Sequence, residues 1–303
     1  MSEITIIEVP FNLGLKEPAP GHEPGVKKLP GHLNKHGFHA TLNPTQVLQL
    51  PAPPYSSAFD EASGVRNVSQ IATYATEQAA ILQSVLNKNQ FLILLGGDCS
   101  ILIGTALALK NTGRYGLFYL DGHTDYMGSY LSETGGAAGM DLAIVTGYGH
   151  ENLTNLQNKE PYFKQNHVWC VGNREYDESY VNEILSSHIS YIDLHQLRKE
   201  GIKACINGFL KMVQEEKLDG FWIHIDVDVL NDEIMPAVDS RQPDGLSFVE
   251  FNEILYHLLS NPKATGMQIT ILDPDLDTEG KYAKEFVTNI CTTIHSALSH
   301  ERI

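Results

Sequence analysis

Three short carboxylate-rich segments each follow a run of apolar residues that is typical of a buried strand. They are residues 96–100 (GGDCS), 121–125 (DGHTD) and 224–228 (HIDVD). The carboxyl ends of parallel strands meet at one edge of a sheet, where α/β folds place their ligands. Several aspartates crowded at that edge cannot all stay ionised without a positive partner. The pattern therefore predicts a pair of divalent metal ions and metal-assisted chemistry.

The spacing within two of these segments also suits metal binding. Residues at alternate positions share one face of an extended chain. This applies to two sets of side chains: Asp121, His123 and Asp125, and His224, Asp226 and Asp228. Aspartate oxygens with a few imidazole nitrogens suit manganese. A lone DxD also occurs as a helix cap, but three such segments at strand ends favour a site that activates water and polarises a carbon–nitrogen centre.

Composition narrows the class of protein. The chain has 303 residues and a formal net charge of -16, so it lacks the basic footprint of a nucleic-acid-binding or anionic-membrane-binding protein. Its four cysteines form no CxxC pair, which favours a reducing compartment. The first residues do not resemble a signal peptide, and no run approaches the roughly 20 apolar residues of a membrane span. We expect a soluble, cytoplasmic protein.

Strand-like and helix-like segments alternate along the whole chain. Strands are predicted over residues 4–9, 91–95, 115–120, 168–171, 190–192, 221–225 and 266–272. Helices are predicted over residues 25–36, 65–86, 100–110, 180–185, 202–216, 248–259 and 281–298. This alternation predicts an α/β fold of three layers, α-β-α, with a mostly parallel sheet. We expect a single domain over residues 1–303, a surface loop over 44–54 and a substrate-facing loop over 126–139.

These motifs resemble the signatures of the ureohydrolase superfamily, which includes arginase, agmatinase and formimidoylglutamase. The resemblance rests on GGDCS, DGHTD and DVD and extends to residues 9–14, 172–177 and 273–277. It implies an arginase-like fold with a dimanganese site. It also implies hydrolysis of a guanidino or amidino small molecule and a homo-oligomer, usually a trimer or hexamer.

The resemblance assigns metal ligands residue by residue. Asp121 and Asp226 would bridge the two ions, and Asp125 would bind the first ion. His123 and Asp228 would bind the second.

The sixth ligand is a histidine in the family, whereas this chain has Cys99. Cys99 has two interpretations. It is either a thiolate ligand that favours a softer ion such as zinc or iron, or a neutral buried thiol that leaves the first position weak. His224 lies deeper along its strand, so we expect it to orient the ligands rather than to bind an ion.

The catalytic machinery departs from the family pattern too. The family's proton-shuttling histidine falls at Ala138, and alanine cannot transfer a proton. His150 and Glu133 are the candidate replacements, which makes the predicted catalytic residues Asp125, His150 and Glu133.

Substrate recognition is altered as well. The glutamate that pairs with the guanidinium falls at Ile271, and Met127 takes the place of a polar residue that arginases use for the substrate carboxylate. Asp177 matches the carboxylate that holds the substrate α-amino group, but it would equally serve as the cap of a surface helix.

The sequence thus predicts a metal-dependent hydrolase that cleaves a C–N bond of a linear guanidine or amidine. The altered positions favour a modified guanidino substrate, such as hydroxyarginine, over arginine. The alternative is a metal-poor relative that acts as a binding or regulatory subunit. Histone-deacetylase-like relatives form a third option, but the closely spaced DxHxD motif disfavours them.

Overall fold

A parallel sheet runs through the centre of the protein. The computed structural model describes residues 3–86, 90–175 and 177–299. The strands within them are β1 (Glu3–Glu8), β2 (Gln46–Gln49), β3 (Phe59–Asp60), β4 (Val65–Arg66), β5 (Gln90–Leu95), β6 (Tyr115–Leu120), β7 (Val168–Val171), β8 (Ser190–Ile192), β9 (Gly220–Asp226) and β10 (Ala264–Thr270). Eight of these strands form one sheet in the order β2-β1-β5-β10-β9-β6-β7-β8, and each neighbouring pair is parallel. Strands β3 and β4 form a separate antiparallel pair.

Helices cover both faces of the sheet. They are α1 (Leu29–Lys35), α2 (Phe38–Leu42), α3 (Val68–Val85), α4 (Leu102–Thr112), α5 (Asp141–Val145), α6 (Glu151–Thr154), α7 (Glu178–Leu185), α8 (Leu194–Glu200), α9 (Ile202–Glu215), α10 (Phe248–Leu259) and α11 (Lys281–Ser299). Alternate residues of β5 enter opposite cores: Phe91 and Ile93 pack on the face covered by α9, α10 and α11, whereas Leu92 and Leu94 pack on the face covered by α3 and α4. The predicted three-layer α/β fold is confirmed.

Some local predictions were wrong. The segment 44–54, expected to be a loop, contains β2, which pairs in parallel with β1 at the sheet edge. Because an edge strand is half-solvated, β2 is polar and carries no alternating apolar signal. The helix expected over 65–86 begins at Val68, after β4. Helices α2 and α8 were missed because each spans less than about two turns, which is too short for a clear period.

The sheet order brings the three carboxylate segments together. Strands β5, β10, β9 and β6 are consecutive neighbours, and the segments follow β5, β6 and β9 directly. The turn after β5 needs a glycine, because a Cβ at Gly97 would overlap the backbone of Phe11. No helix within the described residues is long and apolar enough to cross a membrane.

Candidate metal centre

A cavity of about 270 Å³ opens at the carboxyl ends of the central strands. Four carboxylates line it: Asp125, Asp226, Asp228 and Asp239. Cys99 and His123 line it as well, and Asp121 lies just beneath, completely buried. Thr134, Ala138 and Gly139 come from the segment 126–139, which was expected to face the substrate. The sequence segments therefore converge on one concave site.

Asp121, His123 and Asp228 form a group with metal-binding geometry. One ligand atom from each residue lies within 4.8 Å of the others. His123 Nδ1 is 2.8 Å from Asp228 Oδ2, while His123 Nε2 is 3.0 Å from Ser240 Oγ. Asp121 Oδ1 accepts a hydrogen bond from the backbone N–H of His123, but the buried Asp121 Oδ2 has no partner among the residues that the structure describes. Because a buried, unpaired carboxylate oxygen is costly, these residues fit a divalent ion, and Ser240 would orient the histidine.

The electrostatics of the cluster also favour a bound cation. Burial, followed by repulsion from neighbouring carboxylates, raises the pKa values of Asp121, Asp125 and Asp226 well above the ordinary range. Burial also acts to raise the pKa of Asp228, but His123 and the Arg174 guanidinium hold it below its usual value. Without a cation, the cluster must therefore retain protons.

The position that the family resemblance gives to the first metal ion has different surroundings. Cys99 Sγ donates a hydrogen bond to Asp226 Oδ2 over 2.9 Å and lies 3.1 Å from Thr270 Oγ1. The Tyr119 hydroxyl lies 3.1 Å from Asp125 Oδ2, and 2.8 Å from Asp141 Oδ1. Hydrogen-bond donors from Cys99 and Tyr119 therefore face the carboxylates there.

His224 lies beneath this position. Its ring stacks on Tyr119 with a centroid separation of 4.3 Å and an interplanar angle of 4°. Burial lowers the pKa of His224 to about 3, so the ring is neutral. A nitrogen of His224, Cys99 Sγ and an oxygen of Asp121 also lie within 4.8 Å of one another.

Other predicted residues lie away from the cavity. Asp98 caps the turn after β5, where it accepts hydrogen bonds from the backbone N–H groups of Gly14 and Ser100. Asp177 accepts a hydrogen bond from the backbone N–H of Ser179 at the start of α7. This contact is the cap that the sequence offered as the second interpretation of Asp177.

The two candidate proton donors are also outside the lining that the structure describes. Glu133 is exposed, although it adjoins Thr134 of the cavity wall. His150 caps α6 through Nδ1. Met127 is buried in the core on the α3–α4 face. Their catalytic or binding roles stay predictions.

Two residues of the candidate site escaped the sequence reasoning. Asp239 reaches the cavity from the loop after β9, beside Lys16. Arg174 crosses under the same loop and donates hydrogen bonds to the backbone carbonyls of Asp228, Gln242 and Pro243. Irregular loops show no hydrophobic periodicity, so only the charge of these two residues distinguished them in the sequence.

Ile271 has an unusual backbone. It lines the cavity with a φ of 74°, which is strained for a β-branched residue. Its N–H donates to the carbonyl of Gly97 over 2.8 Å, which holds this conformation. The apolar side chain therefore occupies a fixed part of the cavity wall.

Comparison with known proteins agrees with this fold. The family model described as "Arginase family" matches residues 2–296. The chain belongs to the Arginase family. An arginase from Bacillus caldovelox is 27% identical over 286 residues, covering 93% of this chain and 95% of the relative. An arginase from Bacillus subtilis (strain 168) is 28% identical over 224 residues, covering 74% and 75% of the two chains. The predicted resemblance is confirmed.

Solved structures extend the match. The arginase of Bacillus caldovelox superposes with a TM-score of 0.84 at 26% identity, covering 97% of this chain and 98% of the other. The formimidoylglutamase of Bacillus subtilis has the same fold, with a TM-score of 0.75 at 18% identity and coverage of 100% and 89%. The family comprises hydrolases of C–N bonds in linear amidines, so the predicted enzyme class is confirmed.

Proposed function

We propose that this member of the Arginase family hydrolyses a C–N bond in a small linear guanidine or amidine. The observation that carries the proposal is the convergence of Asp121, His123 and Asp228 on ligand-like geometry beside a 270 Å³ cavity. Asp226 and Asp125 line the same cavity and complete the carboxylate set. A cavity of this size suits a small molecule.

Manganese is the proposed metal. When bound, a divalent ion would lower the pKa of a coordinated water and polarise the substrate. The ligand atoms are carboxylate oxygens with one imidazole nitrogen, which is the donor set that manganese accepts. His123 would bind through Nδ1, with Nε2–H donating to Ser240 Oγ.

Asp239 is the proposed partner of the substrate cation. Ile271 supplies no charge where the family resemblance places a glutamate, but Asp239 lines the same cavity. Its carboxylate would pair with a guanidinium or amidinium group from a different direction. Such a change favours a modified guanidino compound, for example a hydroxylated or N-substituted one, over arginine.

The leaving amine needs a proton donor. Ala138 lines the cavity and carries no proton. Of the two predicted replacements, Glu133 adjoins the lining residue Thr134, whereas His150 is engaged as a helix cap. We therefore favour Glu133. A cytoplasmic location and a homo-oligomer, trimeric or hexameric, complete the proposal.

Activity on a defined panel tests this function. Protein loaded with Mn²⁺ would be assayed for urea or ammonia release from arginine, agmatine, formiminoglutamate, guanidino acids and hydroxyarginine. We expect hydrolysis of at least one compound and its loss in Asp121→Asn. The matched control is Asp232→Asn, since Asp232 pairs with Arg241 near the surface. No hydrolysis of any compound would favour the alternative of a binding or regulatory subunit.

A separate substitution pair tests substrate recognition. Asp239→Asn should raise KM for a cationic substrate by about 10–150-fold, the equivalent of losing one charged hydrogen bond of about 1.5–3 kcal/mol. Adding Ile271→Glu should restore part of the affinity, because position 271 faces the same cavity. An unchanged KM in Asp239→Asn would contradict the role given to this residue.

A further inference from the structure

A chain of three buried side chains fixes which nitrogen of His224 carries the proton. Trp222 Nε1–H donates to Gln268 Oε1 over 3.2 Å, and Gln268 Nε2 lies 2.8 Å from His224 Nδ1. An indole can only donate, so it holds the carboxamide oxygen of Gln268 on its own side. The amide nitrogen then faces His224 and can only donate to it. Nδ1 is therefore the acceptor, and Nε2 carries the hydrogen.

That protonated nitrogen is unsuited to bind a metal ion. A histidine ligand needs a free lone pair on the coordinating nitrogen, while its other nitrogen donates to a neighbouring acceptor. His224 has the opposite arrangement, because its Nδ1 receives a hydrogen bond. Its Nε2 is buried without a partner within the described residues. The ring thus directs an N–H group, not a lone pair, toward its surroundings.

Two further donors surround the same position. The Cys99 thiol donates to Asp226, and the Tyr119 hydroxyl donates to Asp125 or Asp141. Donors stabilise carboxylates as a cation would, but over shorter range. By contrast, Ser240 Oγ can accept a hydrogen from His123 Nε2, which would leave the Nδ1 lone pair for an ion between His123 and Asp228 Oδ2. The residues fit an ion at one position and do not fit one at the other.

We propose that the chain holds a single divalent ion, bound by Asp121, His123 and Asp228, and that the donors of Cys99, Tyr119 and His224 take the place of a second ion. The inference rests on the proposed function for the presence of a divalent ion. It decides between the two interpretations of Cys99: the residue is a neutral donor and not a thiolate ligand. One ion with oxygen and imidazole ligands then carries the chemistry of the centre.

Metal counting tests the proposal. Full-length protein would be saturated with Mn²⁺, freed of excess metal and analysed for manganese per chain. We expect one ion in the wild type and one in Cys99→Ala, because the thiol is not a ligand. Two ions in the wild type, or loss of the ion in Cys99→Ala, would overturn the proposal.

Gln268→Glu is the sharper variant. A carboxylate at position 268 can accept from both Trp222 Nε1–H and His224 Nδ1–H, which would move the proton of His224 and free Nε2 for a metal ion. We expect two ions per chain in this variant. Gln165→Glu adds the same charge at a partly buried site away from the centre, where Gln165 contacts Tyr126, and should retain one ion. A count of one in folded Gln268→Glu would refute the tautomer argument.

Spectroscopy tests the position of the proton on His224 even if Gln268→Glu fails to fold. Nitrogen NMR of the Zn²⁺-loaded wild type should show His224 as a neutral ring protonated at Nε2. A metal-coordinated Nε2, or a thiolate charge-transfer band in the Co²⁺-loaded protein, would overturn the inference. Its failure is distinguishable from that of the proposed function. Two ions with hydrolysis would refute only the inference, whereas one ion without hydrolysis would refute only the function.

Discussion

Replacing Arg174 with methionine should destabilise the protein substantially. The guanidinium donates to the carbonyls of Asp228, Pro243 and Gln242 at 2.7, 2.9 and 3.1 Å. Each hydrogen bond from a charged donor contributes about 1.5–3 kcal/mol. Taking the lower value for three bonds gives a loss of about 4–5 kcal/mol in the free energy of unfolding. With about 2.1 cal/mol/K of unfolding entropy per residue over 303 residues, Tm should fall by about 7 °C.

Reversible urea denaturation of the metal-free protein is the assay, with calorimetry for Tm. Arg114→Met is the matched control, because the Arg114–Glu216 pair is 3.7 Å apart and half exposed, which makes it worth less than about 1 kcal/mol. Arg174→Met should also weaken metal binding, since the loop that it anchors carries Asp228. If the two variants lose the same stability, the role assigned to Arg174 is wrong.

Three further outcomes follow from the site. Burial raises the pKa of Asp98 to about 6, above the unfolded value of about 3.9. Its protonated form therefore favours the folded state, and metal-free stability should fall by up to about 3 kcal/mol as pH rises from about 3 to 7. Asp98→Asn should reduce this slope in urea titrations. Mn²⁺ at about 100 times Kd should raise the free energy of unfolding by about 2.7 kcal/mol, measured in thermal melts. This increase should be lost on chelation and in Asp121→Asn, but kept in Asp232→Asn. Gly122→Ala should lower the free energy of unfolding by about 1–3 kcal/mol in urea denaturation, because the added Cβ would lie 2.9 Å from Asp228 Oδ1. An unchanged urea midpoint would contradict that contact.

The strand ends were predictable because their signals are local. Apolar runs followed by aspartates predicted β5, β6 and β9, and the rule that ligands bind at the carboxyl ends of parallel strands predicted their convergence. The sheet then brings Asp121 and Asp228 into one group although they are 107 residues apart. Periodicity also predicted α10 over Phe248–Leu259 at the observed bounds. The pattern of apolar and polar residues thus predicts most of the architecture.

The sequence predicted that His224 lies behind the ligands, but not which side chains it would contact. The pairing of Gln268 with His224 depends on the register of β10 against β9, and register is set by tertiary packing. The position of Asp239 depends on an irregular loop with no period. The proton on His224 depends in turn on Trp222, two residues away on the same face of β9. A pattern of residue types does not encode such directional contacts.

The most direct test of the metal centre is anomalous scattering from a crystal of the protein loaded with Mn²⁺. We expect one anomalous peak within ligand distance of Asp121, His123 and Asp228. A chain with no peak at these residues would contradict the assignment of the metal centre. A second peak of comparable height between Cys99 and Asp125 would contradict the single-ion arrangement.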